Sequence, residues 1–342
     1  MNILDLIRPD LLDLQPYSSA RDEYTGKEGV FLDANENPFE TGINRYPDPL
    51  QKELKERVAE LKSISSDKIF FGNGSDECID LLFRLFCVAG EDKVVSISPS
   101  YGMYKVSAKI NHIDLIEVLL NEDYSLNGEE INSAAKDAKM IFLCSPNNPT
   151  GNAFPKQEII SILKENSCLV VVDEAYVDFS KEESMLNEIE NYPNLVVLQT
   201  FSKAYGLAGL RLGMLFSSKE LIGWMNKVKP PYNINQLTQN EALKRLKNVD
   251  LVQDQISFLI SERERIEIEF HNYSIIEKIY PSDSNFILVK VKDANEVYNY
   301  LVLNKIISRN RTTQPLCENC IRITIGTKGE NDLMLEKVKE LC

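Results

Sequence analysis

The sequence predicts an α/β protein: a large domain with a mostly parallel central sheet flanked by helices, followed by a smaller C-terminal α+β domain. Three observations carry this reading. Short runs of β-branched and aromatic residues alternate with amphipathic helical patterns. The runs are apolar throughout instead of alternating apolar and polar, as befits strands covered on both faces of a parallel sheet. From Val249 the rhythm changes to one long helical stretch followed by more widely spaced strands. With 342 residues, 43% hydrophobic and 26% charged, the chain can bury two well-developed cores.

The elements follow in order. Residues 1–30 are irregular and are expected to pack on the small domain. Residues 31–240 form the large domain. There Pro49 to Lys62 reads as an amphipathic helix, and "KIFFG", "KVVSIS", "KMIFLC", "LVVVDEA", "LVVLQTF" and "RLGMLFS" read as strands. Helical patterns such as Ser75 to Val88 and Lys156 to Glu165 lie between several of them. Residues 241–342 form the small domain: a long helix, "NFILVKV", a helix around Asn295 to Leu303, "CIRITIGT", and a closing helix. A cleft between two such domains is the default ligand site.

A net charge of −14 argues against a general nucleic-acid or anionic-membrane binder, because both partners demand a dominant basic face. An anionic ligand must therefore meet positive groups gathered locally. The opening "MNILDLIRPDLLDL" carries acids and a proline, so it does not read as a secretory signal, and no run reaches membrane-spanning length. The expectation is a cytoplasmic protein. Seven scattered cysteines suit reduced, buried thiols. "CENC" at Cys317 to Cys320 has the spacing of half a zinc site, but no second such pair accompanies it. Loop cysteines before a strand are the simpler reading, and no metal is expected.

Five of the strands end in a polar group: "FFGNGSDE", "SISPSYGMY", "FLCSPNNPTG", "VVVDEAY" and "LQTFSK". In an open parallel sheet, ligands bind beyond the carboxyl ends of the strands, so these endings load one sheet edge with chemistry. Gly74, Ser75 and Asp76 open a helix whose free N–H groups and dipole suit an anion, although a plain N-cap would look the same. Asp173 closes an apolar run and, once buried, needs a cationic partner. Tyr176 can present a phenol to the same space or simply pack there, and "SPNNPTG" alone would be read as a loop. Lys203, in "TFSKAYGLAGLRLG", sits between an apolar run and a glycine-punctuated stretch, with Arg211 eight residues on. A desolvated lysine spends time neutral and can form a Schiff base, and an arginine fork suits phosphate oxygens. Lysine, buried aspartate and phosphate pocket are together the requirements of pyridoxal 5′-phosphate.

"NNPTG", "VVDEAYVDF" and "FSKAYGLAGLRLG" resemble the class II aminotransferases of fold type I. "PYSSAR", "ANENPF", "RYPDP", "GNGSDE", "PSYGMY" and "IRITIGT" narrow the resemblance to the histidinol-phosphate branch of that family, over nearly the whole chain. The resemblance implies that Lys203 carries the cofactor and moves the proton of the substrate α-carbon. It places Asp173 at the ring nitrogen, Tyr176 and Asn148 at the phenolic oxygen, and Tyr101 against the ring. Ser202, Arg211 and the amides of Ser75 and Asp76 would hold the phosphate after the turn at Gly74, with Thr200 alongside. Tyr46 would reach the phosphate of a neighbouring subunit's cofactor, so a homodimer with shared active sites is implied. Arg309 and Arg322 would face the anionic end of the substrate, with Tyr17 and Asn35 lining the same pocket. For an arbitrary arginine on an alternating strand, an outward surface charge would be the ordinary reading.

The implied reaction converts L-histidinol phosphate and 2-oxoglutarate to imidazole acetol phosphate and L-glutamate, in histidine biosynthesis. An aromatic or broad-specificity aminotransferase and a threonine-phosphate decarboxylase share nearly the same constellation. A pyridoxal-phosphate-binding transcription regulator is disfavoured, because it would need a DNA-binding domain and a basic surface.

Overall fold

The computed structural model describes residues 3–16 and 29–342. Its larger sheet has seven strands: β1 (Ile69–Asn73), β2 (Lys93–Ser98), β3 (Asp114–Leu119), β4 (Ala138–Cys144), β5 (Leu169–Asp173), β6 (Leu195–Thr200) and β7 (Leu212–Phe216). They lie in the order β1-β7-β6-β5-β4-β2-β3. All pairings are parallel except the two made by β7, which is antiparallel to β1 and to β6. The carboxyl ends of β1, β2, β4, β5 and β6 therefore share one edge.

Both faces of this sheet are covered. Phe71, Ile141, Val170, Val172, Val197 and Met214 point into one core, and Phe70, Met140, Phe142, Val171, Val196 and Leu215 into the other. That double burial is the reason the strands are apolar without alternation. Helices α1 (Lys52–Lys62), α4 (Gly128–Ala134), α5 (Lys156–Glu165) and α7 (Gln236–Leu246) contribute to the first face. Helices α2 (Gly74–Phe86), α3 (Met103–Ile110) and α6 (Lys219–Val228) cover the second.

Strand β3 was not among the expected ones. It occupies the sheet edge with residues 114–117 exposed or half-buried, so it lacks the apolar run that marks the others. The described N-terminal residues also depart from expectation. Ile3 and Ile7 are buried with Phe83, Leu85 and Trp224, and Arg8 hydrogen-bonds the Leu85 carbonyl through its backbone and the Arg84 carbonyl through its side chain. Their apolar side chains pack on α2, against the large sheet and not on the small domain.

The second sheet contains β8 (Ile276–Ile279), β9 (Phe286–Val291), β10 (Arg309–Asn310) and β11 (Cys320–Thr324), all antiparallel, in the order β10-β11-β9-β8. Alternation sorts its side chains. Ile287, Val289, Val291, Ile321 and Ile323 enter a core closed by α8 (Val249–Phe270), α9 (Ala294–Leu303) and α10 (Lys328–Lys339). Phe286, Leu288 and Cys320 join the core of the large sheet instead. By the same period of two, Arg322 faces the large sheet with them.

Candidate active site

The site forms where the carboxyl edge of the large sheet meets that inner face of the small one. Asp173, the last residue of β5, is 2% exposed. Its Oδ2 accepts a hydrogen bond from the Tyr104 hydroxyl at 2.8 Å and its Oδ1 one from the Ala175 N–H at 3.1 Å. Burial pushes this carboxyl up to about 6, against the pull of both donors, while the nearby Asp76 carboxylate adds to the rise. Tyr104 is fully buried, stacked on Phe142 and edge-on to Tyr101. It lies within the quoted motif "PSYGMY", yet nothing in the sequence distinguishes it from a core tyrosine.

Lys203 lies in the turn that follows β6, open to the cavity, with its Nζ 5.5 Å from the centre of the Tyr176 ring. Desolvation lowers its pKa first, then the charges of Arg322 and Arg211, with Asp173 opposing. The amine is thus biased toward its neutral, nucleophilic form.

The connection ends at Arg211, in a left-handed conformation with φ of 50°. Its carbonyl accepts a 2.7 Å hydrogen bond from the Gly74 N–H, which ties the start of α2 to the start of β7. A side chain at Gly74 (φ 73°) would meet the Arg211 Nη2 at 2.7 Å, and one at Gly213 would come within 2.2 Å of the Ser75 nitrogen. Glycine at both points lets three backbone segments converge on the first turn of α2. Asn73 caps that helix without a side-chain hydrogen bond. The Asp76 side chain instead accepts from Arg211 at 3.3 Å and from the Tyr101 hydroxyl at 2.9 Å. The plain N-cap alternative is therefore not what Ser75 and Asp76 do.

One cavity is lined by Gly74, Ser75, Asp76, Tyr101, Cys144, Asp173, Tyr176, Thr200, Ser202, Lys203 and Arg211. A second space opens from it, lined by Tyr101, Asn148, Tyr176, Lys203, Arg309, Arg311, Gln314 and Arg322 among others. Asn148 joins the two: its amide donates to the Tyr176 hydroxyl at 3.3 Å, and its carbonyl accepts a short hydrogen bond from Arg322. Arg322 lies 5.1 Å from the Phe286 ring and sits directly opposite Arg309 in the β10–β11 pairing. Burial, then Arg311 and Arg309, lowers the Arg322 pKa to about 10, while Tyr176 opposes, so the guanidinium remains charged at neutral pH.

Arg311 and Gln314 also line this space and are not among the residues expected from the sequence, although "RNR" spaces Arg309 and Arg311 by two, the period of an extended chain. Asn35 and Tyr46 are elsewhere, in a pocket also lined by Glu36, Arg45 and Leu237. Glu36 pairs with Arg45 and accepts the Tyr46 N–H at 2.6 Å, which fixes that loop. Tyr17 falls outside the described residues. Cys317, in the turn before β11, and Cys320, the first residue of that strand, are buried free thiols.

The residues present fit a cofactor with three different demands. A buried carboxylate calls for a cationic ring nitrogen, a helix start beside Arg211 for an anion, and a desolvated amine for a carbonyl. Pyridoxal phosphate meets all three, and enzymes that use it are the class defined here. The chain belongs to the class I and II aminotransferases, whose family model matches residues 31–338. It is 52% identical to a histidinol-phosphate aminotransferase of Christiangramia forsetii, over 99% of this chain and 98% of that protein. Among solved structures it resembles a histidinol-phosphate aminotransferase from Clostridium acetobutylicum, with TM-score 0.81 and 25% identity over 88% of this chain and 91% of that one. It shares its fold with the Sinorhizobium meliloti histidinol-phosphate aminotransferase solved with pyridoxal-5′-phosphate, with TM-score 0.80 and 24% identity over 87% and 84% of the two chains.

Proposed function

We propose that this chain transfers the amino group between L-histidinol phosphate and 2-oxoglutarate, working as a cytoplasmic homodimer with shared active sites. One observation carries the choice of substrate. Arg309 and Arg322 face each other across two strands beside Lys203, and among the described residues neither has a carboxylate partner. Two guanidiniums without a counter-charge are an anion site whose planar forks match a phosphomonoester and, in the other half-reaction, a carboxylate.

Pyridoxal phosphate supplies the carbonyl that receives the amine and an electron sink for the α-carbon. The protein supplies the rest. Lys203 would hold the cofactor and, once displaced, would take the proton from the substrate α-carbon and deliver it to the cofactor's carbonyl carbon. Asp173, oriented by Tyr104 and the Ala175 N–H, would pair with the ring nitrogen. Tyr176 and Asn148 would hold the phenolic oxygen, and Tyr101 would support the ring. Ser202, Thr200, Arg211 and the Ser75 and Asp76 amides would secure the phosphate at the N-terminus of α2.

The homodimer is supported by large apolar side chains in solvent, Val30 at 88% exposure, Leu32 at 87% and Phe39 at 78%, and by Ile43, Tyr46 and Leu237, which line one pocket. Such a patch suits an interface with a second copy, which would carry Tyr46 and Asn35 toward the neighbour's site. Six buried free thiols suit a reducing compartment. No described helix is long and apolar enough to cross a membrane.

The holoenzyme, given glutamate, should aminate imidazole acetol phosphate with kcat/KM at least about 100-fold above that for phenylpyruvate. It should release no carbon dioxide from threonine phosphate. A preference for phenylpyruvate would favour an aromatic aminotransferase, and carbon dioxide release a decarboxylase.

A further inference from the structure

This pocket must receive two different anions in turn. The side-chain carboxylate of glutamate carries one negative charge, whereas a phosphomonoester carries nearly two at neutral pH. Arg309 and Arg322 could pair with either. Arg311 directly follows β10, two residues beyond Arg309, and lines the same space, with its backbone N–H bonded to the Cys320 carbonyl at 2.8 Å. Its Nε is buried without a hydrogen-bond partner, as is the Nε of Arg322, and Arg311 has no carboxylate partner among the described residues. Three guanidiniums line one space, two of them with an unsatisfied buried N–H. The desolvation of Arg311 and Arg322 and the repulsion among the three oppose folding, and an anion that enters relieves both. A carboxylate compensates one charge; a dianion compensates more and has oxygens for a third fork.

We propose that Arg311 is a specificity-determining residue, setting the preference of this pocket for a phosphomonoester dianion over a carboxylate. The proposal rests on the assignment of a phosphorylated substrate, and the test separates the two. In Arg311→Gln holoenzyme, each half-reaction is followed separately through the cofactor absorbance. The half-reaction with histidinol phosphate should slow on the order of 10- to 100-fold in kcat/KM, the loss of one charge-assisted contact, and that with glutamate less than about 3-fold. Arg311→Lys, which keeps the charge without the fork, should fall between wild type and Arg311→Gln for histidinol phosphate alone.

Methyl phosphate, added as a competitor of glutamate, gives an independent measurement. Its inhibition of the wild type should strengthen as pH rises through about 6, where the dianion forms, and that strengthening should shrink in Arg311→Gln. Equal losses in both half-reactions, or unchanged methyl phosphate inhibition in both variants, would overturn the role of Arg311. Should the wild type reject histidinol phosphate while methyl phosphate still discriminates the variants, the substrate assignment fails and the role of Arg311 stands.

Discussion

At the scale of single residues, Asp173 is the most informative side chain. Its carboxyl rises from 3.8 to about 6 on burial, so the folded chain holds this proton more tightly than the unfolded chain does. A group of this kind contributes most to stability at low pH, and its contribution is lost as pH climbs from about 4 through about 6. The apoprotein of Asp173→Asn should lack that decline. Relative to wild type, it should gain about 2–3 kcal/mol in urea unfolding between pH 4 and pH 7.5. Its holoenzyme should nevertheless lose at least about 100-fold in turnover, because the ring nitrogen has lost its buried counter-charge. Parallel pH profiles of the two apoproteins would contradict the burial argument. Asp173 could be singled out in the sequence because a carboxylate closing an apolar strand is anomalous. Tyr104, which orients it, could not, because a tyrosine in a helix gives no sign of what its hydroxyl touches.

Among the elements, the meeting of β1, β7 and the first turn of α2 determines whether an anion cradle exists. Gly213 permits it: a Cβ there would overlap the Ser75 nitrogen and the Gly74 carbonyl carbon, both backbone atoms that cannot rotate away. Gly213→Ala should lower stability by roughly 1–3 kcal/mol through overpacking. It should also weaken cofactor retention by at least about 10-fold, measured by dialysis and absorbance. Undiminished retention would show that the first turn of α2 does not hold the phosphate. The strands that end at the site were legible from their apolar runs and polar endings. Strand β3 was not, because an edge strand with polar and half-exposed residues carries a weaker signal.

On the scale of the whole molecule, the described chain leaves Tyr46 in a pocket apart from Lys203, so a shared site requires a second copy. Lys203→Ala and Tyr46→Ala variants, each impaired alone, should regain roughly a quarter of wild-type activity when mixed under conditions of subunit exchange. Half of the dimers would then be mixed, each with one intact site. No recovery, with exchange verified by mass, would place Tyr46 outside its neighbour's site.

The sequence by itself determined the layered α/β architecture and the sheet edge on which the polar strand endings gather, because strand periodicity and polar strand endings are local properties of the chain. Only the tertiary structure decided which face of β11 Arg322 occupies, that Arg309 stands opposite it, that Arg311 joins them, and that Asn35 and Tyr46 lie apart from Lys203. Those facts depend on strand register and on which sheet packs against which. Contacts between residues more than a hundred positions apart, such as Asn148 with Arg322, leave no periodic trace in either segment.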